Sequence, residues 1–107
     1  METNDLYKTL IKIAKNSIAS ELIHTETVNK ELLLEDFPEL KEQYATFVTL
    51  NLNGHLRGCI GSLVAHRSLF DDVVSNALSA AFKDHRFSTL TKDEFKHVKV
   101  EISIISE

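Results

Sequence analysis

A chain of 107 residues suits one domain with a modest core, and its 43% hydrophobic and 26% charged residues are those of an ordinary globular protein. A formal net charge of −4 argues against a general nucleic-acid binder, which carries a basic stripe. The single cysteine excludes an internal disulfide. With no secretory pattern at the N-terminus, and no apolar run near the ~20 residues of a membrane span, the expected setting is reducing and cytoplasmic, with no membrane partner.

From Asn4 to His24 the spacing predicts an amphipathic helix. Leu6, Leu10, Ile13, Ala14, Ser17, Ile18 and Leu22 recur at intervals of three and four, with Lys8, Lys12 and Lys15 on the other face. Residues 25–44 read as a connection anchored by Leu32 to Leu34 and Phe37. In it the only proline, Pro38, pushes Phe37 towards extended backbone and opens a helical turn through Lys41.

"ATFVTLNLNGHLRGCIGSL" reads as a β-hairpin turning at Asn53-Gly54. A two-residue loop would set Val48 opposite Cys59. A three-residue loop, Asn53-Gly54-His55, sets Leu52 opposite Leu56 and Val48 opposite Ile60, and gathers Val48, Leu50, Leu52, Leu56 and Ile60 on one face. The hydrophobic pattern therefore favours the odd loop. Arg57, Cys59, Thr49 and Asn51 then share the other face, with Phe47 nearby.

Ser68 is placed to cap a helix from about Leu69 to Lys83, with Asp71 and Asp72 in its first turn and Val73, Ala77, Ala80 and Ala81 as a narrow stripe against a sheet. Asn76 is unexpected in a helix interior. Thr91 and Glu94 match a capping box for one short turn. The alternation from Val98 to Ile104 then predicts a strand, with Val98, Val100, Ile102 and Ile104 inward and Lys99, Glu101 and Ser103 outward.

The chemistry concentrates at "NGHLRGCIG", Asn53 to Gly61, which holds the only thiol, Cys59, and all three glycines, Gly54, Gly58 and Gly61. Arg57 and backbone N–H groups near Gly58 and Gly61 would favour a thiolate at Cys59 or cradle an anion. The competing reading is a packed cysteine in a tight corner, with the glycines serving a β-bulge or a close-packed helix. "DHRF", Asp84 to Phe87, supplies a second cluster: an Asp84–Arg86 ion pair within reach of the hairpin, and Phe87 as a core anchor. No two of the five histidines sit at i, i+4 on one helix and no cysteine pair accompanies them, so no metal site is expected. Phosphate loops, dinucleotide fingerprints and nucleophile elbows are absent, and no cofactor is expected.

"FVTL" (Phe47 to Leu50), "LRGCIGSL" (Leu56 to Leu63), "NALSAAFKDHRF" (Asn76 to Phe87), Leu90 and "VKVEISIIS" (Val98 to Ser106) occur in an order that resembles the AMMECR-type domain. The N-terminal helix and "FPEL" also fit. One departure is His85, where many family members have proline between the Asp and Arg. The resemblance implies an α/β (α+β) fold, an antiparallel sheet with flanking helices, and a pocket around Arg57, Gly58, Cys59 and Gly61. The family's domain continues past the Glu-Ile-Ser strand, so residues 1–107 are expected to form its N-terminal portion, incomplete at the C-terminus and prone to self-association through an uncapped edge.

The resemblance further implies membership of the AmmeMemoRadiSam system, with a Memo-like protein and a radical S-adenosylmethionine enzyme as partners, although the family's biochemical role is unsettled. The expected site has Cys59 as nucleophile or attachment point and Arg57 as anion and thiolate partner. Gly58 and Gly61 supply backbone donors, and Asn76, Asp84, Arg86 and Glu101 are further ligand-binding candidates. The alternative is a non-catalytic interaction module of the same system.

Overall fold

The computed structural model describes residues 3–105. In chain order they form α1 (Thr3–Ile23), α2 (Lys30–Asp36), a 3-10 turn (Pro38–Lys41), β1 (Ala45–Leu52), β2 (His55–Gly61), α3 (Leu69–Phe82), α4 (Lys92–Phe95) and β3 (Val98–Ile105). The strands make one antiparallel sheet in the order β2-β1-β3. α3 packs on β1 and β2, and α1 packs on α3 and β3, which gives the expected α+β arrangement.

α1 buries the predicted stripe: Leu10, Ile13, Ala14 and Ile18 are fully enclosed. Each such Leu or Ile removed from water contributes roughly 1.5–3 kcal/mol. The helix stops at His24, whose left-handed backbone (φ 57°) is the usual C-terminal exit. Asn16 then pins the following loop, donating to the Glu26 carbonyl at 3.0 Å and accepting from Val28 N–H at 2.9 Å. The segment expected to be a plain connection contains α2, capped by Asn29, whose side chain accepts from Leu32 N–H. Of the expected anchors, Leu33, Leu34 and Phe37 do pack against the core. Leu32 is exposed, and Leu40, in the 3-10 turn that Pro38 does open, is the residue sunk into the core.

The hairpin joins parts of both registers weighed above. Asn53 and Gly54 both have positive φ (54° and 81°), so the loop has two residues and Leu52 pairs with His55. The expected three-residue loop, with Leu52 opposite Leu56, does not form. A bulge at Arg57 then shifts the pairing by one, so that Leu50 meets Gly58 and Val48 meets Ile60. The apolar face is thereby kept from Leu50 onwards, while Leu56 is turned out and exposed.

α3 begins at Leu69, with the Ser68 side chain accepting from Asp71 N–H, and buries Val73, Ala77, Ala80 and Ala81 as the stripe required. The Thr91–Glu94 capping box is complete. In β3, Val98, Val100 and Ile102 are buried and Lys99, Glu101 and Ser103 exposed as expected, but Ile104 is exposed.

Candidate functional site

One face of the sheet is covered by helices and the other is open. Across the open face lie three cross-strand rows: Gly61, Phe47 and Ser103; Cys59, Thr49 and Glu101; and Leu56, Asn51 and Lys99. Cys59 is half-buried at the β2 end of the middle row, with its Sγ 3.3 Å from Thr49 Oγ1. Its backbone is held from the outer edge. Cys59 N–H donates to Asp84 Oδ2 at 3.0 Å, and Arg86 Nη2 reaches the Cys59 carbonyl at 3.4 Å. Asp84 and Arg86 are themselves joined by two side-chain bonds of 3.0 and 2.7 Å. The "DHRF" turn thus forms the ion pair anticipated from sequence and also fastens the β2 edge.

Arg57 faces elsewhere. As the bulged residue it leaves the ladder, and its guanidinium grips Glu94 through Nε (2.9 Å) and Nη2 (3.0 Å) while Nη2 also donates to the Ser88 carbonyl at 2.8 Å. Its Nη1 is buried without a hydrogen-bond partner. Phe87, expected to anchor the core, is half-buried and lies against two guanidinium groups, with its ring centroid 5.7 Å from Arg57 and 5.4 Å from Arg86. Glu94 serves both α4, as its capping-box acid, and Arg57.

The glycines divide by role. A methyl group on Gly58 would overlap the Ala80 carbonyl oxygen, so Gly58 is where α3 is pressed against β2. Gly61 lies under the Phe47 ring on the open face. Glu101 shares the row of Cys59 and Thr49, and with Asn51, Asn53, Gly54, His97 and Lys99 it lines an open hollow of about 500 Å³ towards the hairpin turn.

Asn76 lies apart from this face, in a buried polar network on the helical side. Asp72 is fully enclosed and accepts from Thr46 N–H (2.8 Å), Thr46 Oγ1 (2.7 Å), Ser62 Oγ (2.7 Å), Arg67 Nε (2.8 Å) and Asn76 Nδ2 (3.1 Å). Asn76 also donates to the Thr46 carbonyl at 3.1 Å. The Asp72 cluster was missed from sequence, although a signal existed. Asp72 and Asn76 are four apart and fall on the stripe with Leu69, Val73, Ala77 and Ala80, and two polar residues on a buried stripe call for partners.

The carboxylates of both clusters are held in the charged form. Hydrogen bonds from Arg86, then from Cys59 N–H, hold Asp84 far below the usual carboxylate range. The Arg57 side chain does the same, more mildly, for Glu94. Burial pushes Asp72 up, but bonds from Ser62, Arg67 and Thr46 outweigh it and leave the pKa lowered. For each acid the folded state binds its proton less tightly than the unfolded chain. The resulting stability is therefore complete above the unfolded value of about 4 and lost as pH falls towards the folded value. Urea midpoints are expected to be flat from neutral pH to about 5 and to fall below about 4. In Asp84→Asn the acid slope should be shallower, and an unchanged slope would remove Asp84 from this account.

A family model described as AMMECR1 matches residues 11–107. The chain belongs to the AMMECR1 family. It is 33% identical over 105 residues to a protein of Methanothermobacter thermautotrophicus, covering 97% of this chain and 53% of that protein. A protein of Methanococcoides burtonii is 37% identical over 97 residues, covering 91% of this chain and 47% of the relative. The crystal structure of the uncharacterized protein PH0010 from Pyrococcus horikoshii superimposes with a TM-score of 0.83 at 28% identity, over 95% of this chain and 52% of that one. This AMMECR1-family chain thus spans about half the length of the relatives it matches, and the antiparallel sheet with flanking helices is the fold it shares with the Pyrococcus horikoshii protein. Among the described residues no helix is long and apolar enough to cross a membrane.

Proposed function

We propose that this AMMECR1-family chain carries a small-ligand or cysteine-dependent site centred on Cys59, acting in a cytoplasmic modification system with a Memo-like protein and a radical S-adenosylmethionine enzyme. The observation that carries the site is the setting of Cys59. Its thiol lies on the open sheet face beside Thr49 Oγ1, and its backbone is fixed by Asp84 and Arg86. A thiol that is reachable and held in one orientation is suited to attack or to covalent attachment. In this reading Glu101 and the Gly61–Phe47 shelf contact ligand on either side of the thiol. Arg57 acts as a positioning residue, locking the bulge to α4 through Glu94.

Iodoacetamide tests the site directly: the Cys59 thiolate forms an S–C bond and iodide leaves. The native protein is expected to alkylate without unfolding, faster as pH rises, and Cys59→Ser to take up no label. Arg86→Gln, which frees the Cys59 carbonyl, is expected to change the native rate severalfold. Protection of the thiol until the protein unfolds would overturn the proposal.

A second reading rests on the surface that follows the same motif. Leu63 is 92% and Val64 61% exposed, and an apolar pair so open suits a docking contact. In a non-catalytic module the Leu63→Asp/Val64→Asp double variant would abolish partner binding while the thiol stayed inert.

A further inference from the structure

The hairpin turn combines features that expose the chain to a reaction with itself. Asn53, alone among the asparagines, is followed by glycine, so no side chain shields the next nitrogen. A methyl group on Gly54 would meet nothing within 4 Å, and both turn residues are exposed. They stand outside the ladder, which closes with Leu52 opposite His55. Among the described residues the Asn53 side chain makes no hydrogen bond and the Gly54 N–H has no acceptor. Asn53 is also held at φ 54°, a backbone that costs an L-residue energy, which assists rotation out of the turn. The other asparagines are restrained. Asn4 and Asn16 lie in α1, Asn29 caps α2, Asn51 is paired in the sheet, and Asn76 is tied to Thr46, Ser62 and Asp72.

We propose that Asn53-Gly54 is a self-modification site, at which the folded protein converts the asparagine to aspartate and isoaspartate with His97 as the base. His97 lines the same hollow as Asn53 and Gly54, and an imidazole accepts a proton near neutral pH. As His97 takes the Gly54 N–H proton, the nitrogen's electron pair attacks Asn53 Cγ and closes a succinimide ring. The side-chain nitrogen leaves as ammonia, which carries that proton away from His97. Water then opens the ring. Attack at Cγ breaks the new C–N bond and gives aspartate, whereas attack at the Asn53 main-chain carbonyl breaks the original peptide bond and gives isoaspartate. One water is consumed and one ammonia released, and nothing is oxidised or reduced. Lys99 and Glu101 also line the hollow, and His55 follows the turn. Lys99 pairs with Asn51 and Glu101 with Thr49, so the cation is the nearer to the turn along the ladder, where it favours the developing negative charge. Isoaspartate adds a main-chain carbon to a two-residue turn whose twist matches its strands, and so loosens the hairpin that carries Cys59.

The full chain, kept folded in heavy-oxygen water at neutral pH, tests this by peptide mass mapping and by an isoaspartyl methyltransferase assay. Label is expected at residue 53 before any other asparagine, together with methyl acceptance by the same peptide. Asn53→Gln should lose both signals, because the larger ring closes far more slowly. His97→Gln should slow labelling roughly tenfold and remove the rise in rate as pH passes through the imidazole range. Asn53 and His97 are both exposed, so far-UV circular dichroism should show all three proteins folded. Label that enters residue 53 only in urea, or no sooner than the other asparagines, would overturn the proposal. So would a His97→Gln variant with the wild-type rate and pH profile.

Discussion

Asp72→Ala is expected to destabilise the protein by about 3–5 kcal/mol, the cost of breaking a buried, charge-assisted network by removing its centre. Thr46 N–H, Thr46 Oγ1, Ser62 Oγ and Asn76 Nδ2 would lose their shared acceptor in a place water does not reach, and Arg67 would lose its counter-charge. A domain of this size has about 5–15 kcal/mol in all, so the thermal midpoint should fall by more than about 10 °C. Asp72→Asn keeps the shape but exchanges an accepting oxygen for a donor and removes the charge, so it should lie between wild type and alanine. Thermal melts followed by circular dichroism decide the matter. A loss below about 1 kcal/mol for alanine would mean that the network does not hold α3 to the start of β1.

Gly58→Ala is the second large effect, expected at about 3 kcal/mol. The added methyl meets the Ala80 carbonyl oxygen, which is main chain and moves only if α3 lifts from β2. The other two glycines provide the control. At Gly61 the methyl meets the Phe47 ring, which is exposed and able to turn away. At Gly54 there is open space, and the penalty is the left-handed backbone alone, roughly 1 kcal/mol. Urea unfolding should therefore rank Gly58→Ala well above Gly61→Ala and Gly54→Ala. Equal losses at all three would show that backbone freedom, not the close approach of the helix, is what the motif's glycines supply.

These two positions belong to one construction. The hairpin is pressed to α3 at Gly58, tied to α3 through Thr46 and Ser62 on Asp72, and fastened at its outer edge by Asp84 and Arg86. Cys59 is the residue this construction leaves on the open face, beside Thr49.

What depends on near neighbours and periodicity is legible along the chain. The α1 stripe, the Pro38 turn, the Ser68 cap, the Thr91–Glu94 box and the alternation of β3 are each read over a few residues, and each is present, the last as far as Ile102. So is the family, because the motifs lie in fixed order along the chain. Tertiary packing settles the hairpin register, because a two-residue turn and a bulge at Arg57 together imitate the pattern of an odd loop. It alone turned Arg57 to Glu94, which is 37 residues away, and brought Thr46 and Ser62 to Asp72. Long side chains choose partners by where the fold brings charge, and no local spacing encodes that choice. Polar groups on a buried stripe, such as Asp72 and Asn76, announce that partners must exist, while packing decides which residues they are.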